Sequence, residues 1–277
     1  MTDVHSSNYS LRDEIREYWS IRSETFDLSV GHEIFSDAER RGWHRLIARH
    51  LGQGEGRAAL DLACGTAVIS HLMHDLGFAV TGADWSEAML SRARAKAAKR
   101  GSDIRFIMCD AENTMEARGS YDVIITRHLV WTLVDPRAAF AEWYALLKPG
   151  GKLLVVDLNQ DKKTWVGLLR ASLERMTGKP IAGMQDSDLA NRDQRIRSQL
   201  FFSKGMTAEA VVPLLEEAGF TGTVVDRKMH DIHLAQARRM PLLRGLDRLL
   251  QDRYAICVTK PLNLRGAGLL PHVANYQ

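Results

Sequence analysis

Residues Ala58-Ala59-Leu60-Asp61-Leu62-Ala63-Cys64-Gly65-Thr66-Ala67 constrain the fold most: an apolar run ends in a carboxylate and passes into a loop of small residues. A backbone with almost no side chains can press against a ligand there, next to the amide groups that open a helix. A second apolar run, Ala79-Val80-Thr81-Gly82-Ala83, closes on Asp84. It lies about 20 residues beyond the loop, the spacing at which nucleotide folds hold a ribose diol. Together the two acids imply a nucleoside cofactor.

The loop chemistry separates two cofactor classes. A dinucleotide loop reads G-x-G-x-x-G, with a third glycine for close helix packing. Here those positions hold Ala63, Gly65 and Val68. Asp61, just before the loop, repels a pyrophosphate but attracts a cationic ligand. S-adenosyl-L-methionine is favoured over NAD, and a dehydrogenase is disfavoured. Alanine resists positive φ, so Ala63 and Ala67 predict a tight but ordinary backbone path through the loop.

Residues 58–157 resemble the class I S-adenosylmethionine-dependent methyltransferases of the small-molecule type. Asp61-Leu62-Ala63-Cys64-Gly65-Thr66 is similar to the family's D-x-G-x-G-x loop, with Ala63 and Ala67 in place of two glycines. Asp84 matches its ribose acid and Cys109-Asp110-Ala111-Glu112 its adenine-reading block. Tyr121-Asp122-Val123-Ile124-Ile125-Thr126-Arg127 matches the fourth strand, and Leu147-Lys148-Pro149-Gly150-Gly151-Lys152 the turn before the fifth. Five blocks in order are far more specific than any one of them. The resemblance implies that Asp61, Ala63 and Gly65 face the methionine end, Asp84 the ribose hydroxyls, and Asp110 with the Ala111 amide the adenine edge. Trp85 and Met89 are placed to cover the adenine ring, with helix packing as their plainer role.

Strand and helix patterns alternate from Ala58 to Asp157, which means an α/β fold with a parallel sheet and helices on both faces. By resemblance the sheet is doubly wound, mainly parallel and seven-stranded, and ends in an antiparallel hairpin. Helical spacing over Leu11 to Arg22 and Ile34 to Leu51 predicts an N-terminal helical cap, residues 1–56. The cofactor-binding core is placed at 57–160, with Ser86 to Arg100 as a helix ending before Gly101. A substrate-covering insertion, or lid, is placed at 161–205, with a helix over Lys162 to Gly178 and irregular chain over Pro180 to Arg195. Residues 206–261 complete the sheet: a helix over Met206 to Ala218 stopped by Gly219, strands Gly222 to His233 and Arg253 to Lys260, and Leu234 to Leu250 helical or looped between them. The tail, 262–277, has no clear period and reads as mobile or as a strap.

A sulfonium carbon is already electrophilic, so catalysis requires mainly an aligned nucleophile and exclusion of water. Arg127-His128-Leu129-Val130-Trp131 follows the fourth strand, where open α/β sheets bind ligands. Arg127 is assigned to the cofactor, His128 to proton transfer, and Trp131 to a substrate wall. Tyr18, Trp19 and Arg22 share a face of the first helix. In similar enzymes such a helix folds over the cofactor, so Tyr18 and Arg22 are assigned to it and Trp19 to substrate. Asp157 and Asn159 end the fifth strand and are polar substrate candidates. His230 and His233, three apart on a strand, would point to opposite faces, so no metal is expected.

Bulk properties fit this reading. The chain has 277 residues and 45% hydrophobic content, enough for a full core, and 37 basic against 34 acidic residues without a basic stripe. Nucleic acid is therefore not an expected partner, and the absence of an Asn/Asp-Pro-Pro-aromatic block after the fourth strand argues against base and amide substrates. Cys64, Cys109 and Cys257 are too scattered for arsenic chemistry and suit reduced thiols in a cytoplasmic protein. The start of the chain lacks a signal-peptide core, and no apolar run is long enough for an integral membrane segment. A small-molecule metabolite methylated on N, O or S is the expected substrate, and a homodimer is left open. The alternatives are a silent S-adenosylmethionine-binding sensor or scaffold, and a methyltransferase for a lipid-like or quinone substrate. Lys162, Lys163, Arg238, Arg239, Arg244 and Arg248 would serve an acidic or lipid-like substrate.

Overall fold

The computed structural model describes residues 9–159, 162–177 and 187–262. Seven strands form one sheet: β1 (Ala58–Leu62), β2 (Ala79–Asp84), β3 (Arg105–Met108), β4 (Tyr121–Arg127), β5 (Leu147–Leu158), β6 (Thr221–Asp226) and β7 (Arg253–Thr259). Their order is β3-β2-β1-β4-β5-β7-β6. The first five strands in that order pair parallel, and β7 runs antiparallel to both β5 and β6. The chain leaves β1 toward β2 on one side and returns to β4 on the other. That reversal opens a crevice at the carboxyl ends of β1 and β4, where open α/β sheets take ligands.

Among the described residues ten helices accompany the sheet: α1 (Leu11–Arg22), α2 (Asp37–Leu51), α3 (Val68–Asp75), α4 (Glu87–Arg100), α5 (Pro136–Leu146), α6 (Trp165–Thr177), α7 (Ser187–Gln199), α8 (Ala208–Glu217), α9 (His230–Ala237) and α10 (Leu242–Leu250). Their starts follow local chemistry. Ser10 and Asp13 form a reciprocal capping box on α1, Ser36 and Ser86 cap α2 and α4, and Asp135 caps α5 ahead of Pro136. Period-two alternation splits the core between the two faces. Leu60, Leu62, Ile124 and Val155 pack with Phe140 and Trp143, whereas Ala59, Val123, Ile125 and Leu154 pack with Ile47, Leu72 and Met73.

Three readings of the sequence require correction. The polar stretch ending at Arg195 was expected to be irregular, but Ser187–Gln199 is α7. Its charges are used between helices: Arg192 pairs with Glu17 and Arg195 with Glu14 of α1, while Ile196 is buried. The strand expected to reach His233 stops at Asp226, whose carboxylate accepts from the Lys228 amide at 2.6 Å and from Arg49 at 2.7 Å. His230 and His233 consequently lie on α9, which packs against α2 through Gly42 and Ile232 and through a Gln236–Glu39 hydrogen bond of 2.7 Å. The first helix turn after Ile34 begins only at Asp37. Of the tail expected over 262–277, residues 263–277 lie outside the described residues. No helix of the described residues is long and apolar enough to cross a membrane.

Candidate cofactor and substrate site

Two adjoining cavities occupy the crevice. The smaller, about 370 Å³, is lined by Asp84, Trp85, Cys109, Asp110, Ala111 and Glu112 among others. The larger, about 720 Å³, lies on the other side of Asp84 and Trp85 and reaches Trp19, Phe26, His32, Asp61, Gly65, Met89, Arg127 and His128.

The loop after β1 departs from the expected backbone path. Ala63 and Ala67 have φ of 55° and 70°, and Gly65 has 54°. The turn is enforced by its bonds: the Cys64 amide donates to the Ala83 carbonyl at 3.0 Å and the Ala67 amide to the Cys64 carbonyl at 2.8 Å. Each left-handed alanine costs roughly 1–2 kcal/mol, strain of the kind that collects at ligand sites. A Cβ at Gly65 would stand 3.5 Å from the Phe26 ring and 4.0 Å from the Met89 sulfur, filling the slot between loop and roof.

Strand ends and the sheet's alternation set the carboxylates. Asp61 shares the Ala59 face and reaches α3, where Ser70 Oγ donates to it at 2.6 Å. Burial pushes it up to about 7, against the Ser70 bond and the Arg127 charge. Asp84 accepts from the amides of Gly65 and Ser86, each at 2.9 Å, and burial pushes it up to about 6. Asp110 accepts from the Glu112 amide at 2.8 Å, and the Ala111 carbonyl accepts from Trp143 Nε1 at 2.8 Å. Arg12 pairs with Glu112 and lies 3.5 Å from Asp110.

The roof comes from the segment between α1 and α2. Trp19 meets Phe26 edge-on at 6.1 Å, and Phe26 stacks on His32 at 4.2 Å. Arg127 donates to the Gly31 carbonyl at 2.8 Å, and Arg248 of α10 to the Val30 carbonyl at 3.0 Å. Lys96 joins Asp27 at 2.8 Å and Glu33 at 2.6 Å. Phe26 and His32 were missed by sequence reading because their segment has no period. An aromatic and a histidine between two helical patterns were the only signal.

His128 has φ of 61°, and its amide donates to the Val156 carbonyl at 3.1 Å, which turns the side chain into the larger cavity. Its Nδ1 lies 3.3 Å from Asp157 Oδ1. Burial, then the charges of Arg253, Arg127 and Arg248, hold the imidazole well below the ordinary histidine range. Burial pushes Asp157 up to about 7.

Of the residues singled out in the sequence, the crevice gathers Trp19, Asp61, Ala63, Gly65, Asp84, Trp85, Met89, Asp110, Ala111, Arg127 and His128, and Asp157 stands behind His128. Tyr18 does not line it: the ring is buried against Trp19 at 5.2 Å and turned toward Asp193 of α7. Arg22 lies outside the lining, although its charge acts on His32. Trp131 is in the core behind Trp19, with Arg197 over its ring at 3.8 Å. Asn159 lines a separate open groove beside Lys162. These side chains were placed by helix face or strand end alone, which does not fix which neighbour a helix meets.

The donor set fits a nucleoside with a cationic tail. Asp61 suits the charged end, Asp84 a diol and Asp110 an exocyclic amine, with apolar Trp85 and Met89 between them. A methyltransferase-domain family model matches residues 59–151. A ubiquinone biosynthesis O-methyltransferase of Erwinia tasmaniensis is 29% identical over 173 residues, 60% of this chain and 67% of that protein. A demethylmenaquinone methyltransferase of Renibacterium salmoninarum is 31% identical over 147 residues, 53% of this chain and 60% of its own length. The chain thus spans about two thirds or less of these two relatives. In fold it is similar to a phosphoethanolamine N-methyltransferase 2 of Haemonchus contortus in complex with S-adenosyl-L-methionine, with a TM-score of 0.59 and 16% identity over 92% of this chain and 58% of that one. The geranyl diphosphate C-methyltransferase of Streptomyces coelicolor A3(2) gives 0.57 and 12% identity over 92% of this chain and 100% of that one. The family match covers the strands and loops that build the crevice, so residues 59–151 carry a methyltransferase domain similar to that of S-adenosylmethionine-dependent methyltransferases.

Proposed function

We propose that the chain transfers the methyl group of S-adenosyl-L-methionine to an oxygen of a small, lipid-like aromatic acceptor, with His128 receiving the acceptor's proton. The observation that carries this reading is the His128–Asp157 pair at the wall of the larger cavity. When bound, the cofactor supplies an electrophilic methyl carbon, so the protein's task is to orient and to exclude water. Asp84 would hold the ribose hydroxyls, Asp110 the adenine amine and Asp61 the charged methionine end. His128 is neutral at physiological pH, and an ionised Asp157 accepting from Nδ1–H leaves the Nε2 lone pair to take a hydroxyl proton.

Trp19, Phe26 and His32 close the cavity from above and supply flat apolar surface for an aromatic acceptor. Quinone-related acceptors in the names of the sequence relatives support the same class. In this reading residues 1–56 act as the cap, 161–205 as the lid, and the protein works in the cytoplasm on a small molecule. Its three cysteines are free, in keeping with that compartment. The test is incubation of the purified chain with methyl-labelled cofactor and a panel of catechols, quinols and amines. Label in an organic-extractable ether product is expected. Label confined to water-soluble N-methyl products would overturn the proposed acceptor.

A further inference from the structure

Helices α6 and α10 lie side by side with their polar faces turned inward. Asp247 of α10 is bonded to Thr164 and lies 3.8 Å from Arg170, and Gly245 packs on the Ala237 carbonyl. The apolar faces point away from the protein. On α10, Leu242, Leu246, Leu249 and Leu250 are 77%, 40%, 38% and 47% exposed, at the i, i+4, i+7, i+8 spacing of one helix face. On α6, Trp165, Leu168, Leu169 and Met176 are exposed in the same way. Single exposed leucines need no explanation, but two adjacent helices with inverted faces do.

The charge around this face is predominantly positive. Asp247 and Glu174 share Arg170, and Asp252 pairs with Lys162. Lys163, Arg175, Arg238 and Arg239, all exposed beside the two helices, have no carboxylate partner among the described residues. An apolar face carrying a tryptophan and rimmed by unmatched cations is complementary to a membrane surface that bears anionic headgroups. The open groove between α6 and α10 begins at Leu158 and Asn159, directly after Asp157 in the sequence.

We infer that α6 and α10 form a docking face for an anionic lipid surface. The inference concerns binding alone, and its failure would leave the methyl-transfer reading standing. The test uses the full chain with phosphatidylcholine vesicles, with and without phosphatidylglycerol. Flotation with the anionic vesicles only, weakened by salt, is expected, together with a blue shift in emission that Trp165→Phe removes. The double variant Leu246→Glu/Leu249→Glu, at exposed positions, should reduce bound protein about tenfold or more while circular dichroism and S-adenosylhomocysteine binding stay unchanged. Indifference to both vesicle types overturns the inference. So does a two-chain mass by light scattering that the double variant halves, which assigns the face to a second copy. Vesicle binding that appears only after removal of residues 263–277 overturns it too, because the chain's own end would then cover the helices.

Discussion

The amide of Gly65 donates to Oδ2 of Asp84 at 2.9 Å, tying the turn after β1 to the acid that ends β2. The second oxygen is held by the Ser86 amide, so the carboxylate is oriented before any ligand arrives. Asp84→Asn keeps the size but loses the charge and one acceptor. S-adenosylhomocysteine affinity should fall by about tenfold to a hundredfold in calorimetry. Unchanged affinity would remove Asp84 from the site.

Asp61 links binding to pH. Burial raises it from the ordinary 3.8 to about 7, and a cationic ligand favours its ionised form. Affinity for S-adenosyl-L-methionine should therefore weaken below about pH 7, by up to about tenfold per unit, and Asp61→Asn should flatten the profile. Stability moves the other way. A group raised on folding contributes fully below its unfolded value and loses that contribution as pH climbs through about 7. Melting of the unliganded wild type relative to Asp61→Asn should accordingly decline from about pH 5 to about pH 8.

For His128 the replacement must tolerate positive φ, which asparagine does better than alanine. His128→Asn should lower kcat by about 10²–10⁴ with cofactor affinity intact, as measured by initial rates and calorimetry. The imidazole stays neutral well below the usual histidine range, so the loss of wild-type kcat as pH falls below about 7 should follow protonation of Asp157, which burial raises to about 7, and should be absent from the pH profile of Asp157→Asn. A kcat within twofold of wild type for His128→Asn would exclude proton transfer by His128.

Relief of strain should be measurable at Ala63, which is only half-buried. Ala63→Gly removes a left-handed alanine worth roughly 1–2 kcal/mol and returns about 0.4–1 kcal/mol of unfolded-chain freedom. A net gain near 1 kcal/mol should raise Tm by about 2–4 °C in a thermal scan. A lower Tm would mean that the methyl group's packing outweighs the backbone cost.

Much of the crevice was legible because its residues are tied to strand ends. Asp61, Asp84, Asp110 and His128 each follow an apolar run, and the sheet's parallel order brings those ends together. The roof was not legible: Phe26 and His32 reach the cavity only through tertiary bonds from Arg127, Arg248 and Lys96. Tyr18 and Trp131 were misplaced for a related reason, since α7 covers the side they were expected to leave open. That helix was itself hidden by a polar sequence whose ion pairs connect separate helices. The left-handed alanines contradicted residue preference because the Cys64 and Ala67 bonds outweigh it.

The bond from Arg248 to the Val30 carbonyl joins the segment before α2 to a helix made after the first five strands, and α2 likewise finds its partner α9 only after them. During synthesis on a ribosome, the first five strands can emerge and pair while the covering segment still lacks its anchor. A nascent chain would pass through an open-topped stage, able to admit the nucleoside before α10 emerges and anchors the covering segment.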